Sequence, residues 1–80
     1  QTEIDIAAID PEGKNLILGE CKYWSEPVGI NILTALEEKG KTVEWNRQCR
    51  NTFYVLFSSG GFTKELEELA KVRKDVLLVK

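Results

Sequence analysis

The sequence predicts an α/β fold: a mixed β-sheet with flanking helices, in the order β-β-α-β-α-β. Three observations carry this. Near the N-terminus Ile4 and Ile6 alternate with Glu3 and Asp5, the period of a strand. Farther on, Ile30, Leu33, Leu36, Gly40 and Val43 follow the steps of three and four that make one apolar stripe on a helix. Between the candidate helices, the continuous apolar run TFYVLF from Thr52 to Phe57 suits a strand covered on both faces.

Taken in order, Thr2–Ile9 is the first predicted strand. Asp10-Pro11-Glu12-Gly13-Lys14-Asn15 clusters the residues that make turns, and Leu16–Tyr23 is the returning strand of a hairpin. Ser25, with Pro27 behind it, supplies a capping hydroxyl and then a residue lacking an amide hydrogen, so a helix is expected from there to about Trp45 or Arg47. Its wet side would carry Glu37, Glu38, Lys39 and Lys41. After Thr52–Phe57, the Ser58-Ser59-Gly60-Gly61 segment breaks the chain. Thr63 then caps a short helix to about Lys71, and Val76–Val79 forms the last strand. Right-handed crossovers would set the later strands parallel to the second.

Composition limits the function classes. The chain has 80 residues, 42% hydrophobic and 30% charged, an ordinary balance for one small globular domain. No apolar run reaches the roughly 18 residues of a membrane span, and a cytoplasmic location is expected. The net charge of -2 excludes binding of nucleic acid through bulk positive charge. There is no His, which removes the commonest general base and zinc ligand. Cys21 and Cys49 are too few for a four-ligand zinc site, and both are read as reduced thiols, Cys21 within a strand. The chain opens on Gln1 and has no Met, so it reads as a piece of a longer protein.

Acid is concentrated in the hairpin half, where residues 1–38 hold eight acids against two bases. A turn at Pro11–Lys14 pairs Asp10 with Asn15, which sets Asp5 opposite Glu20 and Glu3 opposite Lys22. Side chains two apart on a strand share a face, so Glu20 and Lys22 project together. Opposed carboxylates about 4.5–5.5 Å apart at Cβ repel unless a proton or cation intervenes. A hard divalent ion, Mg2+ or Mn2+, would resolve this with Asp5, Glu20 and the Cys21 carbonyl as oxygen ligands, since magnesium is held by one or two carboxylates plus water and phosphate. Lys22 would orient or deprotonate an attacking water and stabilise charge on a phosphate. A plain ion-pair network across a hairpin surface accounts for the same residues.

Asp5 followed by Glu20-Cys21-Lys22 on the next strand resembles the core signature of the PD-(D/E)XK nuclease superfamily. The longer pattern EIDIAAID, LILGECKYW and LFSSGGFT is similar to the nuclease-like domain at the C-terminus of a group of archaeal ATPases, and it extends from about Glu3 to Val79. The resemblance implies a restriction-endonuclease-like core lacking its first helix and strand here. It implies Asp5 and Glu20 as metal ligands, Lys22 as the catalytic lysine, DNA as the substrate, and an ATPase domain upstream in the same chain. It implies equally an inactive DNA-docking or protein-interaction module of that ATPase.

Lys39, Lys41, Arg47 and Arg50 are the candidate contacts to a nucleic-acid backbone, against the reading of a solvated helix end. Tyr23, Trp24 and Trp45 could stack on bases or cover the edge of a small core. Ser58–Gly61 lacks the spacing of a phosphate-binding loop and reads as a strand-to-helix connection. A sheet edge left open is a place where a second copy of the chain could add.

Overall fold

The computed structural model describes residues 5–42 and 51–80. Its elements are β1 (Ile6–Ile9), β2 (Asn15–Lys22), α1 (Ile30–Gly40), β3 (Asn51–Ser58), α2 (Lys64–Val72) and β4 (Val76–Val79). They form one mixed four-stranded sheet in the order β1-β2-β3-β4. β1 runs antiparallel to β2, while β3 and β4 run parallel to it.

The hairpin turn is built around Asp10. Its Oδ1 accepts from the amides of Lys14 at 2.9 Å and Asn15 at 3.2 Å, and its Oδ2 accepts from Asn15 Nδ2 at 2.7 Å. Gly13 takes φ 73°, a left-handed conformation that costs glycine little. The ladder then pairs Ile6 with Gly19 and Ile9 with Leu16, the register that a turn at Pro11–Lys14 predicts. Thr2, Glu3 and Ile4 lie outside the described residues.

The first helix departs from the expectation at both ends. Gly29, with no side-chain cap, precedes α1, so Ser25 and Pro27 do not start it. The cause is tertiary: Val28 makes a parallel bridge to Phe62, donating to the Gly61 carbonyl at 2.9 Å and accepting from the Thr63 amide at 2.9 Å. An extended residue there delays the helix. At the other end, the Lys41 amide turns back to the Glu37 and Glu38 carbonyls, and Thr42 bonds to the Lys39 carbonyl through both its amide and hydroxyl. These bonds close α1 at Gly40, short of the predicted end. Val43, Trp45 and Arg47 lie outside the described residues. The second helix starts as expected, with Thr63 Oγ1 accepting from the Leu66 amide at 3.3 Å.

The core occupies one side of the sheet. Leu16 and Leu18 of β2, Leu56 of β3 and Val76 of β4 pack with Val28, Leu33 and Leu36 from α1 and its approach and with Leu66 from α2. Each fully buried aliphatic side chain contributes about 1.5–3 kcal/mol. Gly40 lets α1 approach β2 closely, since a Cβ there would meet Leu18 Cδ1 at 2.8 Å. The opposite face is open: Ile6, Ile17, Phe53, Leu77 and Val79 are all exposed. The apolar run of β3 is therefore covered by helices on one face only, contrary to the two-sided expectation. Both crossover helices lie on the same side, because β2, β3 and β4 step across the sheet in one direction. No helix among the described residues is long and apolar enough to cross a membrane.

Candidate functional site

The candidate site grows out of the alternation of β2. Leu16, Leu18 and Glu20 point to the same, helix-covered side, so the pattern that buries two leucines buries a carboxylate too, leaving Glu20 6% exposed. A carboxylate taken out of water needs charged or hydrogen-bonding partners. Among the described residues Glu20 has two, one on each oxygen: Lys22 Nζ lies 3.2 Å from Oε2 and Lys39 Nζ lies 3.5 Å from Oε1. Lys22 reaches it from two positions along the same strand. Lys39 descends from the last turn of α1, where the exposed helix carbonyls also favour a cation.

Asp5 stands immediately before β1, one residue beyond the last paired position, Ile6 with Gly19. Its Oδ2 accepts from the Cys21 amide at 2.8 Å, which anchors the side chain on the β2 backbone. Cys21 is a free cysteine whose place in the alternation turns its thiol to the opposite face. Lys22 Nζ also lies 5.1 Å from the ring centre of Trp24, within reach of the ring quadrupole. On β3, Ser58 is the register partner of Lys22. Ser58 is 4% exposed, and its hydroxyl has no hydrogen-bond partner among the described residues.

At this end of the hairpin Asp5 meets the Cys21 backbone and Lys22 meets Glu20. Of the basic candidates, the two within the described residues, Lys39 and Lys41, go to different partners. Lys39 is on Glu20 rather than on the wet side of its helix. Lys41 pairs with Glu38 at 2.9 Å in the open. Arg47 and Arg50 lie outside the described residues, as do Trp45 and Cys49. Glu37 likewise leaves the wet side and meets Arg73 at 2.8 Å. Tyr23 is 85% exposed and covers no core edge, and Trp24 is 44% exposed. The Ser58–Gly61 segment connects β3 to α2 and holds the backbone close to Trp24, with Ser59 Oγ donating to the Trp24 carbonyl at 3.2 Å.

Sequence reasoning placed Lys39 on the wet side of its helix and Ser58 in a strand-to-helix connection, and joined neither to Glu20 and Lys22. Lys39 follows Leu36 by three positions, so it borders the apolar stripe, but its reach to Glu20 depends on where α1 crosses the sheet. Ser58 shares the parity of buried Leu56 in β3, yet its place beside Lys22 appears only once β2 and β3 are paired.

No protein-family model, curated protein or solved structure matches this chain significantly. Among the described residues no group of three or more His, Cys, Asp or Glu side chains could hold a metal. The carboxylates of Asp5, just before β1, and of Glu20 on β2 match in number the one or two that a magnesium site takes from protein, with water and substrate phosphate completing the shell.

Proposed function

We propose that this chain is a nuclease-like domain of the PD-(D/E)XK type, with a restriction-endonuclease-like core, that hydrolyses DNA phosphodiester bonds with Mg2+ or Mn2+ and works attached to an archaeal ATPase domain. The single observation that carries this is the buried Glu20 carboxylate with Lys22 on its Oε2, next along β2 to the Cys21 amide that holds Asp5. In this reading Asp5 and Glu20, with the Cys21 carbonyl, are the residues that would hold the ion. The ion, when bound, supplies positive charge to a phosphoryl oxygen and acidifies a water. Lys22 then orients the attacking water, takes part in its deprotonation and offsets charge on the phosphate. The hairpin-helix-strand order and the parallel β2–β3–β4 arrangement support the core assignment. The chemistry needs no histidine, in keeping with a chain that has none.

Cleavage of supercoiled plasmid in the presence of Mn2+ tests the reading. Lys22→Ala is expected to lower the cleavage rate by about 100-fold or more, and Asp5→Asn is expected to do the same while leaving the amide spectrum dispersed. Full activity in Lys22→Ala would overturn the roles assigned.

A second reading, an inactive docking module of the same ATPase, is favoured by one observation. Glu20 is already neutralised by two lysines within the fold, an arrangement that stands without an ion. DNA or protein binding that is indifferent to Mn2+ and to Lys22→Ala, in a chain that does not cleave, is the outcome this reading expects.

A further inference from the structure

We infer that Lys39 is a built-in competitor for the divalent ion: its ammonium holds Glu20 Oε1 and must withdraw before an ion takes that oxygen. The inference rests on the metal-site reading above and adds a regulatory group to the same site.

Both oxygens of Glu20 carry an ammonium, but the two lysines are held differently. Lys22 belongs to β2 itself, sits on Oε2 at 3.2 Å and lies against Trp24. Lys39 belongs to another element and reaches Oε1 at 3.5 Å, longer than the roughly 2.7–2.9 Å of a tight charge-assisted hydrogen bond. Its side chain is 31% exposed, whereas that of Glu20 is 7% exposed. The lysine therefore has water within reach while the carboxylate does not. Placed in the last turn of α1, it keeps favourable carbonyls nearby when it leaves, because cations are stabilised at helix C-termini. Of the two ammonium groups, comparably exposed at 31% and 27%, Lys39 makes the longer contact to Glu20 and Lys22 is the one held against Trp24.

Ser58 supplies an independent sign that this end of the sheet takes an oxygen-bearing ligand. It lies beside Lys22 in register, is 4% exposed, and offers a hydroxyl that no described residue satisfies. Buried hydroxyls are almost always paired. A water or phosphoryl oxygen brought in with the ion is the kind of partner such a group accepts.

With Lys39 in place, Glu20 is charge-compensated and the fold does not need an ion. Removing the ammonium leaves a buried carboxylate with one cation fewer, which raises the attraction for a divalent ion. The same helix carries a control, since Lys41 makes its ion pair with Glu38 in the open and does not touch Glu20.

The test is a Mn2+ titration of the full 80-residue chain, with the dissociation constant measured by calorimetry and the location by paramagnetic broadening of amide signals. Lys39→Met keeps the aliphatic stem, and Lys39→Gln serves as a second variant should the first not fold. Both are expected to bind Mn2+ at least about tenfold more tightly than the parent chain, with broadening centred on Glu20 and Cys21, while Lys41→Met binds as the parent does. Equal or weaker binding in the Lys39 variants, with the same local broadening, overturns the inference and leaves the metal site standing. Absence of local broadening in the parent and in both variants overturns the inference and the metal-site reading together.

Discussion

Arg73 shows how a single side chain ties separate parts of this fold together. Its Nη2 lies 2.8 Å from Glu37 Oε2 of α1 and 2.7 Å from Asp75 Oδ2, while its Nε donates to Asp75 Oδ1 at 3.0 Å. The guanidinium holds the Asp75 carboxyl below the usual aspartate range, against an opposing push from burial. A carboxylate whose pKa is lower folded than unfolded adds stability above its unfolded pKa, and that contribution is lost as the pH falls through the folded value. Asp75→Asn is therefore expected to destabilise the chain at neutral pH. The gap to the parent should close below about pH 4, the unfolded aspartate value. Urea midpoints measured from neutral pH into the acid limb check this, and a gap that persists undiminished at the acid end would contradict it. Glu20 is a different kind of residue: its partners come from its own strand and from α1, so its local sequence names only one of them.

Among the elements, the connection from β3 to α2 is the most tightly constrained. A Cβ on Gly60 would lie 2.5 Å from the Trp24 carbonyl oxygen and 2.7 Å from that of Glu26. Both are backbone atoms, so no side chain can swing aside. Gly60→Ala is expected to cost more than about 2 kcal/mol by displacing the segment that brings Val28 to Phe62. Thr63→Ala, which removes the cap of α2, is expected to cost about 1 kcal/mol. Denaturant titration of the two variants should rank them in that order. The reverse order would show that the Trp24–Val28 segment yields easily. The same segment explains the late start of α1, because Val28 is committed to its bridge before the helix can begin.

For the whole molecule, the decisive property is that the sheet is covered on one side. Both crossovers put their helices over Leu16, Leu18, Leu56 and Val76, leaving Ile17, Phe53 and Leu77 exposed. A pocket of about 390 Å³ at the ends of β2, β3 and β4 involves Ile6, Cys21, Phe57 and Val79 of that open face and reaches Lys22 and Ser58. Leu18, fully buried, and Leu77, 59% exposed, differ mainly in which side they face. Leu18→Ala is expected to cost about 2–5 kcal/mol, whereas Leu77→Thr should stay within about 0.5 kcal/mol. Comparable losses of stability in the two variants would mean that the second face is covered as well.

Much of this fold was legible in the amino-acid order because its signals are local. The Pro-Gly turn chemistry at residues 10–15 determined the hairpin register, and with it the approach of Asp5 to the β2 backbone at Cys21. Thr63 marked its helix, and period-two alternation put Glu20 and Lys22 on one face. Other features depended on contacts between distant segments. The position where α1 starts follows from the pairing of Val28 with Phe62, 34 residues later in the chain. The partnership of Lys39 with Glu20 follows from the angle at which α1 crosses β2. The open side of β3 follows from both helices crossing the sheet on the same face. An apolar run records that its residues tolerate burial, but only the packing of other elements decides which of its two faces is buried.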